Sequence, residues 1–184
     1  MSQNFTRFAF TNSVKKSQEH YGTRHSYARM EKAGDRYQLT VKETAFIESR
    51  DSFYMATVGE NGWPYVQFRG GPRGFLKVID DRTIGYADFR GNGQYISTGN
   101  LHAINRASLI LVDYPSQQRL KIWAESSITE AEDNAELYQQ LAMPKYEARI
   151  ERLVILTVQA YDWNCPQHIM PRYTVGEFNA VTAK

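Results

Sequence analysis

Within one stretch, Asp51 to Ile128, the chain carries Arg69, Lys77, Asn92, Gln94, Ser97 and Asn100. Guanidinium and ammonium groups neutralise a phosphate, while amides and hydroxyls hydrogen-bond its oxygens or the edge of a planar heterocycle. Arg69 and Lys77 fall in adjoining segments that read as strands. Asn92, Gln94 and Ser97 sit where a helix opens after a Gly-Asn-Gly bend, and a helix start offers free N–H groups to an anion. Taken singly, each has an ordinary explanation, because strand-edge charges usually face solvent and asparagines usually occupy turns. Their combination in one segment points to a ligand. Gly91-Asn92-Gly93 has G-x-G spacing too, but it lacks a third glycine and a βαβ context, so the dinucleotide signal is weak.

A second concentration of polar chemistry is the run DWNCPQHI, Asp162 to Ile169. Cys165 and His168 have the spacing of half a metal site, yet His20, His25 and His102 are isolated and supply no second half. Cys165 as a nucleophile with His168 as its base lacks any acid to orient the imidazole. The ordinary reading is a loop packed on the fold, with Trp163 buried and Cys165 inert. Glu60, Asp80, Asp81 and Asp88 lie in turn-rich segments and mark no catalytic carboxylate pair. Neither a phosphate-loop motif nor a G-x-S-x-G nucleophile elbow is present. Tyr54, Tyr65, Tyr86 and Tyr95 read as core and interface rather than as a redox relay.

The elements that must position these residues are mostly strands. Phe53–Val58 and Tyr65–Phe68 flank Asn61-Gly62, which supplies the positive φ of a tight hairpin. Gly70, Gly71 and Pro72 break the second strand. Phe75–Ile79 and Thr83–Ala87 form another hairpin about Asp80-Asp81-Arg82, and Leu109–Val112, Leu120–Trp123 and Leu153–Ala160 complete the strands. Helices are expected over Thr11–Tyr21, capped by Thr11 or Ser13 and stopped by Gly22, and after Thr40, where Glu43 gives capping-box spacing. Two more are expected over Gly93–Ile104 and Ala131–Met143, and an irregular tail follows the last strand. Strands outnumber helices and pair locally, so an antiparallel barrel with flanking helices fits better than a parallel α/β sheet. Residues 1–184 read as one domain, with N-terminal helices over about 11–50 and a tail over about 161–184.

Composition sets the bounds. At 184 residues, with 42% hydrophobic and 23% charged, the chain can bury one substantial core. Twelve tyrosines within 13% aromatic content suit a β protein with a cofactor or subunit interface. A net charge of +2 on scattered basic residues argues against nucleic acid. A lone cysteine excludes an intrachain disulfide and fits a reducing compartment, and no apolar run approaches a membrane span. A cytoplasmic protein is expected.

The run DSFYMATVGENGWPYVQFRGGPRGFLKV, continuing through TIGYADFRGNGQYISTGNL into ASLILVDY, resembles the flavin-binding half of the pyridoxamine 5′-phosphate oxidase-like split barrels. It is most similar to a subgroup with a GNxQYISTGNL-type segment, and DWNCPQHI resembles the same subgroup. The resemblance implies a mainly β, antiparallel split barrel that binds flavin mononucleotide (FMN), as a homodimer with cofactor sites at the interface. It places Arg69, Gly70 and Lys77 around the ring and ribityl chain. Gln94, Ser97 and Asn100 fall near the phosphate and ribityl oxygens, with Asn92 and Tyr95 in the same cofactor-binding segment. The tail would cover the flavin edge, bringing Trp163, Gln167 and His168 to the substrate space, with His168 as catalytic proton donor. The C-terminal Arg-Leu-x-Pro type segment of true pyridoxamine phosphate oxidases is missing, so flavin binding carries over and oxidation of pyridoxamine phosphate does not. Some members of the broader group bind a deazaflavin or haem. The expected function is an FMN-dependent oxidoreductase passing electrons between a donor and an unidentified small molecule. The alternative is a flavin carrier or sensor without turnover.

Overall fold

The computed structural model describes residues 4–32, 34 and 37–182. Three helices open the chain: α1 (Thr6–Ala9), α2 (Asn12–His20) and α3 (Arg24–Glu31). Helix α2 is capped by Thr11, whose Oγ1 accepts from Val14 N, and the turn after it reaches Gly22 at φ +70°. Helix α4 (Val41–Glu48) starts with the capping box anticipated at Thr40 and Glu43. Two hairpins follow: β1 (Ser52–Val58) with β2 (Pro64–Gly70), then β3 (Lys77–Val78) with β4 (Thr83–Phe89). The first turns through Gly62 at φ +82°. Next come α5 (Ile96–Ala103), β5 (Arg106–Asp113), β6 (Gln118–Glu130), α6 (Ala135–Leu141), β7 (Ile150–Trp163) and α7 (Val175–Thr182).

All seven strands join one antiparallel sheet in the order β2-β1-β5-β6-β7-β4-β3. Its end strands β2 and β3 have no mutual ladder, so the sheet curls into a barrel split at one seam. This is the mainly β split barrel with flanking helices that was expected. The core follows from strand alternation, with Phe53 and Met55 of β1, Leu109 and Leu111 of β5 and Leu120 and Ile122 of β6 all buried. Strand β4 is buried on both faces, because α6 covers its outer side through Leu141 against Ala87 and Leu153. Gly85 makes that approach possible: a Cβ there would stand 2.9 Å from Ile155 and 3.1 Å from Leu141.

Several elements differ from expectation. Helices α1, α3 and α7 were not anticipated, and seven helices equal the seven strands, so strands do not outnumber them among the described residues. Strand β3 is only two residues because Phe75 and Leu76 turn inward as core side chains, 2% and 0% exposed. Strand β6 runs on to Glu130, its ladder with β7 continuing through a register shift after Trp123. Helix α6 begins late, at the cap Asn134, whose Oδ1 accepts from Leu137 N. Among the described residues no helix is long and apolar enough to cross a membrane.

Candidate functional site at the barrel seam

A cleft of about 790 Å³ opens along the seam, between the end of β2 and strand β4. Phe68, Phe89 and Tyr146 form aromatic walls, the backbone at Gly70 to Pro72 forms a lip, and Tyr86 and Asp88 lie at its base. Tyr146 meets Phe89 edge-on at 5.0 Å, which fixes both rings. Tyr86 is fully buried, and burial raises its phenol well above the ordinary value, so it stays neutral. A smaller compartment of about 40 Å³, lined by Gln94, Tyr95 and Ser97, shares Arg69, Asp88 and Phe89 with the cleft.

Five polar side chains from four elements meet where the two spaces join. Arg69 on β2 donates from Nη1 to Asp88 Oδ1 at 2.5 Å and from Nη2 to Ser97 Oγ at 2.8 Å. Ser97, in the first turn of α5, donates onward to Gln67 Oε1 at 2.5 Å. Asp88 on β4 also accepts from Arg152 on β7, through Nε at 3.1 Å and Nη2 at 3.0 Å. Asp88 is 3% exposed, so without its two guanidinium partners it would be a buried, unpaired charge. Burial opposes the Arg152 charge, but the hydrogen bonds and field of Asp88, then of Glu151, outweigh it and hold its pKa above the ordinary value. Arg69 Nε is buried and has no hydrogen-bond partner. Because β2 and β4 share no ladder, this chain of contacts ties them across the seam.

Helix α5 starts in an unusual way. Asn92 Oδ1 accepts from Gln94 N at 3.1 Å, Gly93 has φ +74°, and Tyr95 itself adopts φ +52°. A left-handed tyrosine costs on the order of 1–2 kcal/mol, so its setting must hold it. Its hydroxyl donates to Glu151 at 3.2 Å, and the Arg152 guanidinium lies 4.8 Å over its ring. In that position Tyr95 gives α5 no side-chain cap, and the helix start faces the smaller compartment.

A sequence profile of the pyridoxamine 5′-phosphate oxidase family matches residues 39–170, which includes all seven strands. The chain belongs to the pyridoxamine 5′-phosphate oxidase family. Solved structures share its fold at low identity. A candidate pyridoxamine 5′-phosphate oxidase from Lactobacillus delbrueckii superposes with a TM-score of 0.54 at 21% identity, over 68% of this chain and 94% of that one. An FMN-binding protein from Syntrophomonas wolfei gives 0.53 at 14%, over 66% and 83%. HupZ from Group A Streptococcus gives 0.52 at 16%, over 73% and 100%. No protein of curated function matches the sequence.

The oxidase-family fold brings six of the anticipated residues to the two connected spaces: Arg69, Gly70, Asn92, Gln94, Tyr95 and Ser97. Five others lie outside the cleft of their own chain. Lys77 is on β3, which does not adjoin β2 in the sheet, and its Nζ donates to Gln140 O at 2.7 Å and Ala142 O at 3.4 Å. Those carbonyls end α6 and carry partial negative charge, so the lysine serves as a C-terminal cap. Asn100 faces β1, donating to Thr57 Oγ1 at 3.0 Å. Trp163 donates to Glu43 Oε1 at 2.6 Å and meets the Phe46 ring at 4.8 Å, which joins the end of β7 to α4. Gln167 and His168 are exposed in the turn beyond.

Three residues of the site went unnoticed in sequence: Gln67, Asp88 and Arg152. Asp88 was assigned to a turn-rich segment, but it is a buried strand residue of TIGYADF. Arg152 sits likewise in the apolar run IERLVIL. A charge inside an otherwise apolar strand is itself a signal, since burying it requires a partner of opposite sign.

Proposed function

We propose that this chain is an FMN-dependent oxidoreductase acting on a small molecule, working as a homodimer. The observation that carries the reading is the Arg69–Ser97 end of the seam cleft. There a guanidinium with a buried unpaired Nε, a hydroxyl and the start of α5 converge beside aromatic walls. The residues fit the cofactor. Arg69, Ser97, Gln94 and the first turn of α5 would hold the phosphate, and the Gly70–Gly71 lip with Phe68 and Phe89 would flank the ring. The compartment beside α5 is small and accounts for one phosphate, which favours the mononucleotide over a dinucleotide. The FMN-binding relative of the same fold agrees with this.

When bound, a flavin supplies two-electron transfer through its ring. The protein's part is to bind the phosphate end, fix the ring against apolar walls and keep water away. Exclusion of water is where a second copy enters. Trp63, Val66 and Phe68 are 74%, 61% and 57% exposed around the edge strand β2, with Tyr54 beside them. A monomer rarely leaves such a patch open. Because Phe68 also lines the cleft, a second copy seated there would close its mouth.

One observation favours the alternative, a flavin-binding protein without turnover: His168, the anticipated proton donor, lies outside the cleft of its own chain. Purified protein should be yellow and release FMN on heating, identified by mass. Anaerobic reduction by a nicotinamide nucleotide, followed by separate addition of oxygen and quinone-like acceptors, distinguishes the oxidoreductase from the carrier. A colourless protein that ignores added FMN in titration would end the flavin reading.

A further inference from the structure

We infer that Asp88 is the positioning residue of the phosphate end of the cleft, setting Arg69 for a phosphate ester while touching none itself; this rests on the flavin reading above. One carboxylate serves two arginines, with Oδ1 taking Arg69 and Oδ2 taking the fork of Arg152. The cluster contains Arg69 and Arg152 against Asp88 and Glu151, with Arg90 3.8 Å from Glu151 at its rim. Without Asp88 the two guanidinium groups would face one another over a buried, empty position and move apart. With it, Arg69 is held between β4 and the first turn of α5, where its second Nη reaches Ser97. Arg69 lies on an edge strand that has no ladder to β4, so backbone pairing does not fix it relative to β4. The carboxylate does so instead. The ring walls Phe68 and Phe89 are held by aromatic partners, Tyr54 and Tyr146.

Two accounts of Asp88 predict opposite signs. If it mattered only as a negative charge near a phosphate, removing that charge would tighten FMN binding. If it positions Arg69, the same change weakens FMN. Comparison with riboflavin, which has the ring and ribityl chain but no phosphate, separates positioning from general support of the fold. The experiment is fluorescence titration of the full chain with FMN and with riboflavin, for the parent and for Asp88→Asn. Positioning predicts FMN weakened tenfold or more with riboflavin unchanged within twofold. It also predicts that Asp88→Asn in an Arg69→Ala background adds less than twofold, because the effect passes through Arg69. Equal weakening of both flavins would reduce Asp88 to a seam tie and overturn the inference, as would tighter FMN binding.

Should Asp88→Asn fail to fold, Arg152→Lys keeps the charge but gives up the fork on Oδ2. It should weaken FMN about threefold and spare riboflavin, and an unchanged FMN affinity overturns the inference equally. A parent that binds neither flavin sinks the reading of the site as a whole, whereas a parent that binds both equally sinks only the phosphate end and Asp88 with it.

Discussion

The seam cluster and the tail cluster were expected to serve one cofactor, yet the fold separates them. Both include residues of β7, Arg152 near its start and Trp163 at its end. These lie eleven positions apart on one strand, which at about 3.3 Å per residue is about 36 Å of contour. Arg152 is drawn into the seam by Asp88, and Trp163 is drawn onto α4 by Glu43. A long strand can contribute to two sites, but one small cofactor within one chain does not reach both. If Trp163, Gln167 and His168 take part in the chemistry of the cleft, they do so from a second copy. The tail then has two separable jobs: its root clamps α4, and its exposed turn faces outward.

The sharpest way to break that division is Trp163→Ala. Loss of the Phe46 contact and of the hydrogen bond to Glu43 should destabilise the fold by about 3 kcal/mol, seen as a clear drop in melting temperature. FMN affinity of the folded fraction should stay within twofold. A large loss of FMN affinity with little change in melting would move Trp163 to the cofactor and undo the comparison.

Arg69→Ala tests the other half. One charge-assisted contact to a phosphate is worth about 1.5–3 kcal/mol, so FMN should bind at least tenfold more weakly in titration. Melting of the apo protein should fall as well, since the change also removes the Arg69–Asp88 pair across the seam. Parental FMN affinity would leave Arg69 a purely structural seam residue.

The sequence made some of this legible and hid the rest for physical reasons. Local signals were reliable: the Thr40–Glu43 capping box, the Asn61-Gly62 turn and the Thr11 cap all depend on residues a few positions apart. The polar set at the start of α5 was legible because its members share one short segment. The partners that Lys77 and Trp163 find in their own chain, the α6 carboxyl end and Glu43, lie 63 and 120 residues away, where no local pattern shows them. Asp88 was hidden behind its own type, since an aspartate beside Phe89 and Arg90 reads as a turn until strand pairing buries it.

The proposed homodimer can be probed without touching the cleft lining. Val66 is 61% exposed on β2 and absent from the cleft walls. Val66→Glu should place a charge in the proposed interface and shift the protein toward a 21.2 kDa monomer in light scattering. His168→Ala then sharpens the tail question. If the partner's tail covers the cleft, steady-state turnover falls in His168→Ala at unchanged FMN content, and Val66→Glu lowers turnover in parallel. No kinetic change in either variant would confine His168 to the exposed turn.

The smallest expected effect concerns the root of the tail. Glu43 is nearly buried, which by itself would raise its pKa, but hydrogen bonds from Thr40 and Trp163 outweigh burial and hold it below the ordinary glutamate value of 4.5. A carboxylate whose pKa is lower in the folded state stabilises the fold in full above the unfolded value. That contribution is lost as the pH falls through the lowered folded value. The clamp of Trp163 on α4 should therefore hold above about pH 4.5 and loosen below it. Glu43→Gln keeps the shape but removes the titration and the charge-assisted half of the capping box, at a cost of about 1 kcal/mol. Compared with the parent, its melting temperature should be lower at neutral pH, and the gap should close as the pH is taken below 4.5. A gap that is constant from neutral to acid pH would mean that titration of Glu43 is not its source, and that the Trp163 clamp owes nothing to the carboxylate charge.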